Sequence, residues 1–273
     1  MKKNNKLSKF FKAIGRIVRH PYLLNLVLQD EVENRDEVIR KYGMSQGLPV
    51  VEIDDLVPDF DVDVNPYAFL SGATTPIDLA LLRAVAKRYG VQDYFEIGTW
   101  RGESVANVAK VVPHCVTFNL PKEDLKKMTE NGRYADLHGF FSQPLERVKH
   151  LYGDSQTFDF NPYYGKFDMV FVDGDHHYGS VLKDTDTAFR LLKDGHGVIV
   201  WHDYGLDSET VRWEVMEAIL DGAPAEMRNR IYHISNTLCA AYLPESFPTH
   251  SLVPYEEIRK YFEMNIKVHK LRG

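Results

Sequence analysis

The 273-residue sequence predicts an α/β fold built on an open, mostly parallel sheet. Three observations predict it. The stretches FDMVFV (167–172) and GVIVW (197–201) are near-continuous apolar runs, as strands covered on both faces must be. From Asp93 onward, short apolar runs alternate with segments of helical periodicity. The stretch YFEIGTWRGES (94–104) ends a strand on a turn carrying two glycines, and in such sheets ligands bind beyond the carboxyl ends of the strands.

The elements follow in order. Leu7, Phe10, Phe11, Ile14, Ile17 and Val18 recur at three- and four-residue spacing, giving a helix with one apolar face, one face of lysine and arginine, and a stop at Pro21. The expectation is that this helix docks on its own domain, with anchoring to a membrane surface as the alternative. YLLNLVL (22–28) is too short for the core of a secretory signal. Residues 47–66, which include VEIDDLVPDFDVDV, read as an extended connector. Thr75-Pro76-Ile77-Asp78 opens a helix: threonine caps, proline takes the first position, and the acid favours the helix dipole. Leu79, Leu82, Val85 and Ala86 bury it, and Gly90 stops it. Strands are then expected at 93–97, 114–120, 147–152, 167–172 and 198–201, with a closing pair at 231–235 and 239–243. Helices are expected at 103–111, 181–192 and 209–220.

Composition narrows the function classes. Two cysteines, Cys115 and Cys239, are too few for a disulfide framework, which fits a reducing cytoplasm and two thiols serving as small core hydrophobes. Net charge is -6, yet residues 1–20 hold seven basic side chains and no acid. Without those seven, 26 basic residues face 39 acidic ones, a balance of -13. A body so negative leaves no surface to neutralise phosphates, so no nucleic-acid partner is expected.

The glycine turn excludes further ligands. A dinucleotide fingerprint needs a second glycine where Trp100 stands between Gly98 and Gly102, and no Gly-Lys-Ser/Thr loop is present. An acid at the strand end, Glu96, instead suits a ligand that carries a cation and no phosphate there, such as the ammonium of an amino-acid moiety.

FEIGTWRGES resembles motif I of the class I S-adenosylmethionine-dependent methyltransferases, and its EIGT…G.S form is similar to their cation-dependent O-methyltransferase branch. FDMVFVDGDHHYGSVLKDTDTAF…LLKDGHGVIVWHDYG resembles the DGDH.Y and HDY signatures of a bacterial methyltransferase family found in glycan and natural-product pathways. The resemblance spans about residues 75–243. It implies a Rossmann-like, seven-stranded methyltransferase sheet with one antiparallel strand, at 71–273, preceded by a helical extension and connector at 1–70. It also implies S-adenosylmethionine as the methyl donor, with Glu96, Gly98, Thr99, Gly102 and Ser104 at its methionine end, Asp154 toward the adenine, and Asp173 against the cofactor. At the end of the second strand of that sheet, where the family commonly has an acid for the ribose, this chain has Asn119, which keeps hydrogen bonds but loses the charge-assisted contact.

VDGDHHY (172–178) and WHDY (201–204) both follow buried strands that should be neighbours, which gathers Asp173, Asp175, His176, His177, His202 and Asp203 at one edge. Such groups near a core need partners or a cation. Two mechanisms stay open. In one, Asp173, His202 and Asp203 bind a divalent cation, Mg or Mn, that lowers the pKa of an acceptor hydroxyl; the histidine shifts preference toward manganese, iron or zinc. In the other, His176 or His177 is a general base oriented by Asp175 or Asp173. Asp184 and Asp186 are expected on a solvated helix face, Tyr163, Tyr164 and Tyr178 to pack or to stack on a ligand, and Trp201 in the core.

The expected reaction is methyl transfer to a hydroxyl of a saccharide or small metabolite, with the glycan acceptor implied by resemblance alone. The alternatives are an N- or carboxyl-directed enzyme of the same fold and a non-catalytic cofactor- or partner-binding protein. The expected partners are the small-molecule or saccharide substrate and, through the basic helix, a membrane periphery, with a homodimer left open.

Overall fold

A computed structural model describes residues 6–24, 31–128, 133–193, 197–255 and 257–271. The chain begins with helices α1 (Lys6–Arg19) and α2 (Val32–Tyr42), strand β1 (Val50–Val51) and a single turn, α3 (Ile53–Leu56). Helix α4 (Pro76–Arg88) leads into β2 (Asp93–Ile97), α5 (Glu103–Val108) and β3 (His114–Asn119). Two short helices, α6 (Lys122–Met128) and α7 (Arg133–Leu137), precede β4 (Val148–Tyr152) and β5 (Met169–Val172). Helix α8 (Tyr178–Leu191), β6 (Val198–Trp201), the hairpin β7 (Gly205–Asp207) and β8 (Thr210–Val211), α9 (Trp213–Gly222), β9 (Ile231–Ile234) and β10 (Ala240–Tyr242) complete the order.

The main sheet runs β1-β9-β10-β6-β5-β2-β3-β4. All its pairings are parallel except those of β10, which lies antiparallel to both β6 and β9. Side chains alternate between two cores, as the two-residue period requires. Phe95, Ile97, Val170 and Trp201 face one core with α8 and α9, while Tyr94, Met169, Phe171 and Val200 face the other with α4 and α5. Both faces are covered, which is why FDMVFV and GVIVW carry so few polar residues. The Rossmann-like reading therefore holds, with its single antiparallel strand.

Packing departs from the sequence reading in four places. An eighth strand is present: Val50 and Val51, inside the segment expected to be a connector, register with His233 and Ile234 of β9. Val38, Leu48, Val51, Ile53 and Leu56 are buried in the two cores, so the stretch from α2 to α3 packs with the sheet. Two residues of strand and one turn of helix are too short to show a period, which is why the sequence gives them no signal.

Second, the helix expected from Glu209 starts at Trp213. Thr210 and Val211 pair instead with β7, and the carboxylate of Glu31 accepts hydrogen bonds from the backbone N–H groups of Trp213 and Glu214, capping α9 from a distant part of the chain. Third, α1 forms with the expected boundaries but does not dock: none of its residues is buried. Fourth, Asp184 is 1% exposed on the inner face of α8, not on a solvated one. Among the described residues no helix is long and apolar enough to cross a membrane. Cys115 and Cys239 are both free and buried.

Candidate active site

The register of the central strands creates the site. Ile97 pairs with both Phe118 and Val172, and Val172 pairs with Trp201. The chain leaving β2, β3, β5 and β6 therefore emerges at one edge, where Gly98, Asn119, Asp173 and His202 lie side by side.

Gly98 has φ +99, and a Cβ there would stand 1.9 Å from the carbonyl oxygen of Asp173. Gly102, with φ +76, precedes α5, and its Cβ would stand 2.2 Å from Ser142 Oγ. Both glycines are thus demanded by neighbouring chain, beyond any approach of a ligand. Trp100 sits between them at φ 37, its ring against Tyr134 and His138 at centroid distances of 5.0 and 4.8 Å.

Glu96 has no solvent exposure. It accepts hydrogen bonds from Tyr94 Oη and Thr117 Oγ1, each at 2.9 Å, and from Ser104. Burial pushes its carboxyl up to about 8, against the pull of those hydroxyls. Glu96 and Ser104 thus brace the turn from inside the protein.

Thr99, Asn119, His138, His150 and Tyr152 line a cavity of about 250 Å³ beside the turn. Thr99 Oγ1 is 2.7 Å from Thr117 Oγ1. Asn119 Nδ2 lies 2.7 Å from Nδ1 of His138. An amide nitrogen only donates, so His138 carries its proton on Nε2, and burial pulls its pKa down to about 4. That Nε2 and the Nε2 of His150 are buried with no hydrogen-bond partner among the described residues. Unpaired imidazole nitrogens in a polar cavity fit the hydroxyl-rich part of a nucleoside. His138 has no signal in the sequence: YADLHGFF shows neither motif nor spacing.

Asp154 is exposed, and its Oδ1 accepts from the Gln156 N–H at 2.9 Å. Beneath that turn, Asp184 takes a hydrogen bond from Ser155, while its Oδ1 has no partner among the described residues. Burial is the first cause that pushes the Asp184 carboxyl up to about 7. Asp186, by contrast, pairs at 3.1 Å with Arg190 on the outside of α8. Trp201 is core, with Nε1 donating to Thr185 Oγ1 at 2.9 Å. Tyr178 Oη donates to Asp221, and Tyr163 and Tyr164 pack against the core, so none of the three faces the cavity.

The acid–histidine cluster does assemble. One ligand atom from each of Asp173, His202 and Asp203 lies within 4.8 Å of the others. His202 Nδ1 stands 3.1 Å from Asp173 Oδ1 and 3.1 Å from Asp203 Oδ2. Its Nε2 donates to Asp78 Oδ2 at 3.2 Å. Burial opposes charge on His202, but the surrounding carboxylates outweigh it and hold the imidazole well above its ordinary value. Asp203 adopts φ 56, a left-handed conformation that aspartate tolerates, and this turns its carboxylate toward His202 and His176.

Two residues that hold this cluster were read for other roles or not at all. Asp78 caps α4, accepting from the Thr75 N–H at 3.2 Å, and also holds His202 and the Leu238 N–H. Thr74 Oγ1 donates to Asp173 Oδ2 at 3.1 Å. A capping role accounts for Asp78 fully at the level of sequence, so nothing there signals its second contact.

The histidines following Asp175 separate. His177 Nδ1 is 2.6 Å from Asp175 Oδ1, on a side chain that is 82% exposed, and Ser180 Oγ donates to the other oxygen of the acid. This pair closes the turn into α8. His176 is oriented not by Asp175 or Asp173 but by Asp203, its Nε2 lying 3.2 Å from Asp203 Oδ2.

A family model described as a methyltransferase domain matches residues 95–204, the span from β2 through the turn after β6. Over that span, which is less than half of the chain, the sequence is similar to a methyltransferase domain. An uncharacterized protein of Acanthamoeba polyphaga mimivirus is 29% identical over 161 residues, covering 54% of this chain and 67% of the viral protein. Among solved structures, an O-methyltransferase from Bacillus cereus in complex with SAH is 15% identical, with 83% of this chain and 97% of that chain covered and a TM-score of 0.45. Proteins from Bacillus halodurans and Bacillus subtilis, 23% and 19% identical with TM-scores of 0.36 and 0.37, match 46% of this chain. This chain spans half the length of each of those two. Likeness at this level assigns no acceptor to the methyltransferase domain.

Proposed function

We propose that this protein transfers a methyl group from S-adenosylmethionine to a hydroxyl of a saccharide or another small metabolite, with a divalent cation held by Asp173, His202 and Asp203. The observation that carries the reading is the convergence of those three ligand atoms within 4.8 Å, with Asp78 behind His202. A carboxylate on the far nitrogen of a histidine, the usual support of a metal-binding imidazole, leaves the near nitrogen to ligate once a cation displaces its proton. The saccharide acceptor is supported by the resemblance of the DGDHHY and WHDY segments alone.

The donor supplies an electrophilic sulfonium methyl when bound. A divalent ion supplies charge that lowers the pKa of a coordinated hydroxyl. Thr99, Asn119 and His138 hold the nucleoside beside the glycine turn. Asp173 and Asp203 fix the acceptor oxygen, and Asp78 sets the tautomer of His202. His176 takes the acceptor proton: with Nε2–H given to Asp203, its Nδ1 keeps a free lone pair.

That His176–Asp203 pair also favours a second reading, in which it alone serves as the base and no ion is needed. Release of S-adenosylhomocysteine from a panel of sugars and hydroxylated metabolites separates the two. Loss of turnover in EDTA, restored by Mn²⁺ or Mg²⁺, supports the metal, and full turnover in EDTA leaves the histidine pair. Asp203→Ala is expected to abolish release while donor binding persists. No release with any acceptor sinks both readings.

A further inference from the structure

Helix α1 has no buried residue, yet its sequence KLSKFFKAIGRIVR is not that of a helix designed for water on all sides. Phe10 is 57% exposed, Phe11 64%, Ile14 43% and Val18 74%, and Tyr22 in the following turn is 67% exposed. At about 100° per residue, Phe10, Phe11, Ile14, Ile17 and Val18 fall within an arc of roughly 120°, while Lys9, Lys12, Arg16 and Arg19 fall on the opposite side. No acid occurs before Asp30, although the chain beyond residue 20 carries 26 basic against 39 acidic residues.

We infer that α1 is a peripheral membrane anchor, lying flat in the headgroup region of an anionic lipid surface. Each part of that geometry has a physical reason. A 14-residue helix is roughly 21 Å long, too short to span a hydrocarbon core of about 30 Å, but its apolar arc can sink into the acyl boundary while lysine and arginine meet lipid phosphates. Charge complementarity selects the occupant. The acidic body is repelled by an anionic surface, so attachment falls on the segment that concentrates the basic residues. One face of a helix this short offers only a few hundred Å², below the roughly 800 Å² per partner of a stable protein interface, which disfavours a second copy as the cover. The consequence is that the methyltransferase domain is held close to the bilayer, where membrane-bound acceptors are reached by diffusion in two dimensions.

The test uses the full chain and sedimentation with vesicles of phosphatidylcholine, alone or mixed with phosphatidylglycerol. Binding is expected with the mixed vesicles only and should fall as salt rises. The triple variant Lys9→Glu/Lys12→Glu/Arg16→Glu should weaken partition by about a hundredfold or more, and Phe10→Ser/Ile14→Ser by at least roughly tenfold. Because α1 packs on neither core, both variants should keep the wild-type far-UV spectrum and donor affinity, so a lost signal is not a folding failure. Equal binding to both vesicle types, no binding at low salt, or indifference to the double variant would overturn the inference. So would a wild-type dimer in analytical ultracentrifugation that Phe10→Ser/Ile14→Ser dissociates, which assigns the face to a second copy.

Discussion

Nε2 of His202 lies 3.2 Å from Oδ2 of Asp78, a carboxylate with no solvent exposure that comes from 124 residues earlier in the chain. The contact joins the first turn of α4 to the tip of β6. It turns the other nitrogen of His202 toward Asp173 and Asp203. A residue that begins as a helix cap thereby sets the orientation of the candidate metal ligand.

Asp78→Asn keeps the shape and an accepting oxygen but removes the charge. The apparent affinity for Mn²⁺ is expected to fall about 10- to 100-fold. Calorimetric titration of the wild-type and variant proteins measures it. Unchanged affinity would confine Asp78 to its capping role.

Gly98 is the backbone position with the least latitude. Its φ of +99 and the 1.9 Å approach of a Cβ to the Asp173 carbonyl mean that Gly98→Ala must displace the tip of β5. A loss of roughly 3 kcal/mol or more is expected by urea unfolding, since left-handed strain and a backbone clash add together. Donor binding should weaken in parallel, because the same shift moves Asp173.

Stability should fall as pH rises through the weakly acidic range. The Asp184 carboxyl is pushed to about 7 in the folded protein, whereas in the unfolded chain it ionises near its ordinary 3.8. Below 3.8 both states hold the proton and no penalty exists. Between 3.8 and about 7 the unfolded state alone releases it, so unfolding is favoured increasingly, by up to about 1.4 kcal/mol per pH unit. Glu96, pushed to about 8, adds a slope of the same sign. Asp184→Asn should remove the Asp184 part and be more stable than wild type at neutral pH. Denaturant midpoints across this range decide the matter, and identical slopes in both proteins would refute the assignment.

The two histidines of DGDHHY should behave differently. His177, 82% exposed and paired with Asp175 at the surface, is expected to tolerate alanine with activity within about threefold of wild type. His176→Ala should reduce kcat by about 100-fold or more, the scale of a lost general base, with little change in donor affinity. Equal effects of the two substitutions would mean that the Asp203 contact of His176 carries no chemical role.

The central fold was legible because its cause is local and repeated. Strands buried on both faces must be apolar throughout, and FDMVFV and GVIVW are so by composition alone. The motif residues Asp173, His202 and Asp203 were legible for a related reason: each directly follows such a strand, and neighbouring parallel strands end together. By contrast, β1, the true start of α9 and the burial of Asp184 were hidden. Val50–Val51 is too short for periodicity, the carboxylate that caps α9 comes from Glu31, and the inner and outer acids of α8, Asp184 and Asp186, differ only in which way the packed helix is rotated. His138 and Asp78 were missed because each satisfies a local pattern, or none, and acquires its partner only across the fold.

By itself, then, the sequence determined the layered sheet, the glycine turn after β2 and the set of polar groups at the strand ends, since apolar pattern and chain order suffice for those. Only the tertiary structure decided which of those groups meet. It put Asp203 against His176 and Asp78 behind His202, buried Glu96, and left α1 uncovered. The reason is physical: a side chain's partner depends on strand register and helix rotation, and both are fixed by the packing of the whole core rather than by any stretch of neighbouring residues.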